Sequence, residues 1–592
     1  MNGETSAPIA ARQILLAAVF FALLTGLGEA AILLVLMLQF DVYVGVGPHM
    51  VWMSPVVQLL LFAIPTVLLL LVHRLRPWAV TLRVVVGVYV FLAVVSVLFL
   101  HQKIHAVAIA LLGLGLAVAA GRLVVSHRAR FFWLIRRVTV AAVALVVLLA
   151  CAVEGGLVVS ERRELAALPA ALSGAPNVLF IILDTVRALN LSVYGYARAT
   201  SPNLDRLAQR GVVFDRAMAT ASWTMPSHAS MFTGRWPYEL VVGRKEQLLP
   251  LKVPTIAEVL RDHGYYTAGF VANPRVSRIS GLAAGMIHHE DFDHSFGMFL
   301  QSSALVRKVA SKKWFRRLTG YYQPLVRKNA REINEDFLAW LPSAEKRPFF
   351  AFINYMDAHA PYLPPPPFDT LFHRGVRGRR PPLGEELNVA RQPADFVDIE
   401  VAAYDGSIAY LDNQLGRLFA ELDRRGVLQN TLIIISADHG EELGERGEFG
   451  HGHSQRLEIL HVPLIIVPPG GARTMPRVSQ PVSLRSVPST VLEVTGVRTN
   501  VRFPGRSLAV HWRSPKSTDV EFADTVLAQV RGTISAFAGR YHYFRDNTGR
   551  PFLYDHQADL LEETNLASVP AYQTVVDSLR TFAGRIAPTP LP

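Results

Sequence analysis

The chain has 592 residues, enough for three or four domains on length alone. Hydrophobic residues make up 51% and charged residues only 18%, which excludes a disordered chain and a fibre. The single cysteine excludes an intramolecular disulfide and a Cys-ligated zinc site, and the formal net charge of +12 takes its meaning from where it sits.

The apolar residues are concentrated at the start. Residues 14–40, 52–72, 84–100, 106–121 (extendable to Val125) and 138–160 are apolar runs. Most approach the ~20 residues that cross ~30 Å of hydrocarbon as a helix. A signal peptide accounts for one such run, not for five in succession. The reading is a membrane domain over 1–160 with about five transmembrane helices.

Arg74, Arg76 and Arg83 lie between the second and third runs, and Arg122, Arg128, Arg130, Arg136 and Arg137 between the fourth and fifth. The other two connections carry only Lys103. The asymmetry predicts a multi-pass protein of the cell (inner, cytoplasmic) membrane with a cytoplasmic N-terminus, and everything after Ser160 extracytoplasmic. Ten basic residues against four acidic ones up to position 160 place half of the +12 here, as topology signal rather than as a nucleic-acid footprint. The expected partners are therefore the membrane and not a nucleic acid. Glu29 and Glu154 fall inside predicted spans, where a carboxylate is costly unless it is functional or paired with a neighbouring helix.

Residues 161–176 read as an Ala/Pro/Gly linker. The run 177–183 (NVLFIIL) is continuous and of strand length, as expected of a strand buried on both faces. Further strands are predicted at 348–356, 431–437 and 462–468, with helices at 251–264 and 401–425. The alternation argues for an α/β/α sandwich around a mostly parallel sheet, catalytic over 177–510. Residues 511–592 read as a small C-terminal antiparallel sheet followed by a helix near 570–585. Ligands of such sheets bind beyond the carboxyl ends of the strands. There the sequence puts Asp184-Thr185, Asp357-Ala358-His359 and Asp438-His439-Gly440.

Asp184, Asp438 and His439 are suitable ligands for a divalent cation on rigid positions. Thr224 precedes a Met-Pro turn, with Ser227 the expected N-cap of the next helix, so its hydroxyl would stand at a helix N-terminus that favours anions. A threonine hydroxyl is a weak nucleophile near neutral pH and needs a metal or a base. Asn273, after a strand-like run, reads as loop structure with a possible substrate contact. Arg244 and Lys245 could attract anions.

The blocks NVLFIILDTVR (177–187), SPNLDRLAQRGVVFDRAMA (201–219), TMPSHASMFTG (224–234), ADHGEELGERGEFGHGH (437–453) and LYDHQADLLEETNLA (553–567), in this order, resemble the sulfatase branch of the alkaline phosphatase superfamily over nearly all of 176–592. Sulfatases begin the nucleophile block with a Cys or Ser that is oxidised to formylglycine. Here Thr224 takes that place and His228 replaces the following Arg. The threonine carbon carries a methyl, so its oxidation would give a ketone, and no formylglycine is expected. The T-x-P-x-H pattern is similar to that of the nucleotide pyrophosphatase/phosphodiesterases. A threonine nucleophile behind about five spans also resembles the membrane-bound phosphoethanolamine and glycerol-phosphate transferases.

The resemblance implies that Asp184, Thr224, Asp438 and His439 hold a divalent metal (Zn, Mn, Mg or Ca) and that Thr224 is the nucleophile. It implies catalytic roles for His359 and His453. Asp357, His359, His451, His453 and His228 would contribute to a second metal or to substrate. Thr185 stands where sulfatases carry a second Asp ligand. The expectation is a membrane-anchored, metal-dependent hydrolase or transferase acting on phosphate or sulfate esters of envelope lipids or glycans. Plain sulfuric ester hydrolysis and a non-catalytic envelope scaffold are the alternatives.

Overall fold

A computed structural model describes residues 9–40, 47–101, 103–240, 253–278, 280–292, 295–320, 322, 327–382, 392–472, 477–513, 526–530, 533–546 and 548–586. Arg244 and Lys245 lie outside the described residues. The chain divides into two compact units, Met1–Arg163 with Phe292–Val326, and Glu164–Asp291 with Arg327–Pro592.

Among the described residues the first unit has five long helices: α1 (Ala11–Phe40), α2 (Met50–Leu75), α3 (Leu82–Leu98), α4 (Ala106–Ser126) and α5 (Arg128–Ala167). Among the described residues four of them, α1, α2, α4 and α5, are long and apolar enough to cross a membrane. The remaining one, α3, is apolar but 17 residues long. Two boundaries differ from the sequence reading. The start of the expected linker continues α5 to Ala167, and the arginines expected between the fourth and fifth runs lie largely on the first turns of α5. Helices α1 and α2 approach so closely at Gly26 that a Cβ there would collide with the backbone of Pro55.

Both intrahelical carboxylates have partners. Glu154 accepts from His49 Nδ1 at 2.7 Å and from Trp52 Nε1 at 3.1 Å. Glu29 is fully buried and accepts from Ser96 Oγ at 2.6 Å and Ser54 Oγ at 3.1 Å. Phe292 and Ser295–Gly320, inside the segment read as catalytic, belong to this unit instead.

The second unit is organised by an eight-stranded sheet: β1 (Asn177–Leu183), β2 (Val212–Phe214), β3 (Tyr266–Val271), β4 (His288–Glu290), β5 (Phe349–Tyr355), β6 (Thr431–Ser436), β7 (Leu464–Val467) and β8 (Arg477–Val478). The spatial order is β8-β2-β7-β6-β1-β5-β3-β4. Strands β6, β1, β5, β3 and β4 are mutually parallel, while β7 runs antiparallel to both neighbours. The central strands are apolar runs because they are buried on both faces; in β1 every residue after Asn177 is buried.

A four-stranded antiparallel sheet at Val526–Val530, Thr533–Ala538, Tyr541–Arg545 and Pro551–Asp555 follows, then the helix Gln573–Ile586. Glu562, at φ +55°, ties this sheet to the rest of its unit. Its carboxylate accepts from His542 Nδ1, from His556 Nε2 at 2.9 Å and from Leu457 N at 3.3 Å. Although burial alone would raise it, the two histidines hold this carboxyl far below its ordinary value of 4.5. The ionised form thus stabilises the fold above that pH, and the contribution is lost as pH falls below about 4.5. Glu562→Gln is expected to cost about 3 kcal/mol at pH 7 and to flatten the acid limb of stability against pH, read from thermal unfolding across a pH series.

Candidate active site

Four adjacent parallel strands end at one edge of the sheet, and each delivers a polar residue there. β1 delivers Asp184, whose N–H donates to Tyr355 O at 2.9 Å. β6 delivers Asp438 and His439. β3 delivers Asn273, whose N–H donates to Asn354 Oδ1 at 3.0 Å. β5 leads to Asp357 and His359.

The turn after β1 is backbone-strained. Thr185 is β-branched yet adopts φ +62°. Three hydrogen bonds hold it: its hydroxyl to Asp184 O at 2.7 Å, Tyr404 Oη to its carbonyl at 2.7 Å, and its N–H to Asp438 Oδ1 at 3.3 Å. Gly440 is dictated by space, because a Cβ there would collide with the Glu458 carbonyl.

Facing these strand ends is α6 (Thr224–Thr233), closed by Gly234 in the left-handed region at φ +66°. Its N-cap is Trp223 rather than Ser227, so Thr224 is the first helical residue. Ser227 instead donates its hydroxyl to Asp438 O at 2.6 Å, pinning the helix to the end of β6. Thr224 is buried, 3% exposed. The Asn273 side-chain amide lies between the proposed nucleophile and the carboxylate cluster, 3.5 Å from Thr224 Oγ1 and 2.6 Å from Asp184 Oδ2.

Ligand atoms of Asp184, Asp438 and His439 lie within 4.8 Å of one another, all three residues buried. Asp184 Oδ1, Asp438 Oδ2 and His439 Nε2 have no hydrogen-bond partner. Burial, with Asp184 beside it, pushes the Asp438 carboxyl well above its ordinary range. Burial, with His451 close by, drives His439 well below the usual imidazole value. His439 Nδ1 donates to Gly440 O at 2.9 Å, a bond that leaves the Nε2 lone pair for a metal. Two buried carboxylates and a neutral imidazole with orphaned atoms facing one another form a donor set that fits a divalent cation. The other trio of suitable type, His542, His556 and Glu562, is already satisfied internally by the bonds described above.

His228, on α6, donates from Nδ1 to Thr224 O at 2.9 Å and lies 3.6 Å from Asp438 Oδ2, with Nε2 unpartnered. His451 ring stacks near His439 (centroids 4.3 Å) and His359 (5.1 Å). Its Nδ1 donates to the buried Glu441 carboxylate at 2.7 Å. Burial works against charging His451, but Glu441 outweighs it and raises the ring above its usual value. His359 donates from Nδ1 to Ala360 O at 2.8 Å, and burial lowers it.

Two residues of the second set, Asp357 and His453, have hydrogen-bond partners outside it. Asp357 accepts from Ala330 N at 3.2 Å, at the start of the helix Ala330–Trp340, and burial pushes it up to about 6. His453 Nε2 is 2.6 Å from Glu442 Oε2, a pairing that raises it. The His359 ring meets that of His451. Sequence reasoning undervalued Asn273 and passed over Glu441. The signal for Asn273 was its position directly after a buried strand, the same signal that singled out Asp184.

A family model described as sulfatase matches residues 176–497, more than half of the chain. The chain belongs to the sulfatase family. It carries that family's hydrolytic fold within the alkaline phosphatase superfamily. Human iduronate 2-sulfatase is 28% identical over 353 residues, 52% of this chain and 62% of the human protein. This chain thus spans less than two thirds of that relative. The multifunctional alkaline phosphatase superfamily protein PehA of Trinickia caryophylli is 24% identical over 481 residues, 68% of this chain and 93% of PehA. Phosphonate monoester hydrolase of Agrobacterium radiobacter shares the fold at TM-score 0.56 and 22% identity, covering 69% of this chain and 96% of its own.

Proposed function

We propose that this sulfatase-family hydrolase is a membrane-anchored, metal-dependent enzyme that cleaves or transfers phosphate esters of envelope lipids or glycans, with Thr224 as nucleophile. The observation that carries the reading is the residue at 224, buried at the first turn of α6 beside Asn273 and the Asp184–Asp438–His439 cluster. A formylglycine cannot arise from it, so the hydroxyl itself is left to attack. The same four residues, Asp184, Thr224, Asp438 and His439, would hold the cation. When bound, the metal would make the hydroxyl more acidic and offset charge on the ester oxygens.

The chain's own residues do the rest. With its proton passed to solvent, Thr224 Oγ1 forms a bond to phosphorus and the bond to the leaving oxygen breaks, giving a phosphothreonine. His451, which its pairing with Glu441 raises above the usual imidazole value, gives its proton to the departing oxygen. A water or acceptor hydroxyl then attacks the phosphothreonine, the bond from phosphorus to Thr224 Oγ1 breaks, and the attacker's proton passes to His451. Asn273 donates through its amide toward the Thr224 oxygen and Asp184, fixing the geometry between them. His359 faces His451 and His453 sits behind Glu442, so His451 replaces His453 as the favoured proton donor. The five apolar helices support a membrane anchor. Tethering would give lipid or glycan esters a high effective concentration.

Sulfate-ester hydrolysis is the second reading, supported by the named sulfatase among the relatives. Matched aryl phosphate diester and aryl sulfate substrates, offered to the full chain in detergent, separate the two. Faster phosphodiester turnover is expected; faster sulfate turnover overturns the choice.

A further inference from the structure

Phe292 and Ser295–Gly320 group with the apolar helices, the latter as three short helices, Phe296–Gln301, Ala304–Ala310 and Lys313–Thr319. None approaches the ~20 residues of a span. Its attachment is specific. Phe292 and Met298 are buried against Leu33, Met50 and Met53, with Leu100 and Phe299 packed alongside. Ala304 N donates to Glu29 at 3.3 Å, and Gln58 Nε2 donates to both Ser303 Oγ at 3.2 Å and Ser96 Oγ at 2.8 Å. Glu29 is therefore a docking point for this segment.

These contacts fall on the second half of α1, the start of α2 and the end of α3, the end of the bundle opposite Arg74, Arg76 and Arg83. Yet the segment itself is strongly basic: Arg307, Lys308, Lys312, Lys313, Arg316 and Arg317 face one acidic residue in sequence, Asp293. Beside the exposed cations Lys312 and Lys313, large apolar side chains also point outward: Trp314 is 59%, Leu318 78% and Phe296 73% exposed. Apolar and aromatic groups exposed among cations, at the end of helices long enough to span, are the composition of an interfacial element. In water alone that exposure would be unfavourable.

We propose that Ser295–Gly320 lies in the membrane interface and binds the headgroups of anionic phospholipids, with Trp314 and Leu318 in the acyl region and Lys308, Lys312 and Arg316 on the phosphates. The inference rests on the reading of the apolar helices as spans, and the native Cys151, exposed on α5, tests that reading separately.

The full chain is placed in nanodiscs containing acyl-brominated phosphatidylglycerol or, otherwise identically, acyl-brominated phosphatidylcholine. A bimane label on Cys151 should be quenched equally by both. In a Cys151→Ser background, a label on Leu318→Cys should be quenched roughly twofold more by the anionic lipid. Adding Lys308→Gln, Lys312→Gln and Arg316→Gln should remove that preference. If Cys151 escapes quenching, both readings fail. Quenching at Cys151 but not at Leu318→Cys means the face meets something other than lipid, such as a protein. Equal quenching by the two lipids, or a preference that survives the triple substitution, overturns the anionic specificity.

Discussion

Thr224→Ala is expected to lower kcat for ester cleavage by about 10³-fold or more, the scale of losing an attacking group rather than a contact. The substitution deletes one buried hydroxyl whose protein contact is a 3.5 Å approach of the Asn273 amide. Its cost to folding should therefore stay below about 1 kcal/mol. Thr224→Ser restores the hydroxyl and should recover a measurable part of the rate. Steady-state kinetics on an aryl phosphate diester, with thermal unfolding of each variant alongside, separates lost chemistry from lost structure. Turnover by the alanine variant within tenfold of the parent would favour a scaffold role, or a different nucleophile.

Asp438→Asn should act on metal binding and on stability in opposite directions. Removing a ligand charge from the Asp184–Asp438–His439 cluster is expected to weaken divalent-metal binding by about 100-fold or more, measured by equilibrium dialysis and elemental analysis. Without metal, the same change should raise the unfolding temperature near neutral pH. Burial and Asp184 make the ionised Asp438 unfavourable in the folded state. A carboxyl whose folded value is raised costs stability as pH rises above its unfolded value of 3.8, and an amide has no such cost. Saturating metal should reverse the order, because only the parent gains the full binding energy. A chelator that leaves both activity and melting temperature of the parent unchanged would rule out the cation.

How much of this was legible in the chain depends on the range of the forces involved. The strand 177–183 was readable residue for residue, because burial on both faces writes a continuous apolar run. Asp184, Asp438 and His439 followed, since a polar residue directly after such a run has one place to go in a parallel sheet. Which carboxylate each of His451 and His453 meets was not readable. The two differ by which carboxylate, Glu441 or Glu442, catches the ring, and alternate residues of one short loop carry no periodic signal. Asp357 looked like His359's companion by adjacency, yet it caps a helix that begins 27 residues earlier in the chain.

The largest departure is Ser295–Gly320. Its composition is that of a basic surface loop, and the partner that fixes it, Glu29, is 275 residues away from Ala304. A pairing of that separation leaves no local trace. What the sequence did carry was the cost of Glu29 itself, a carboxylate inside an apolar helix that had to find donors. The structure supplies them from α2, α3 and the inserted segment together.

The most direct test of the catalytic reading is intact-peptide mass spectrometry of the full chain, acid-quenched during turnover of an aryl phosphate diester with metal present. A phosphoryl ester on the peptide bearing Thr224, absent from Thr224→Ala, is the predicted result. An enzyme that turns over while Thr224 stays unmodified, or that carries the phosphoryl group on another side chain, would contradict it.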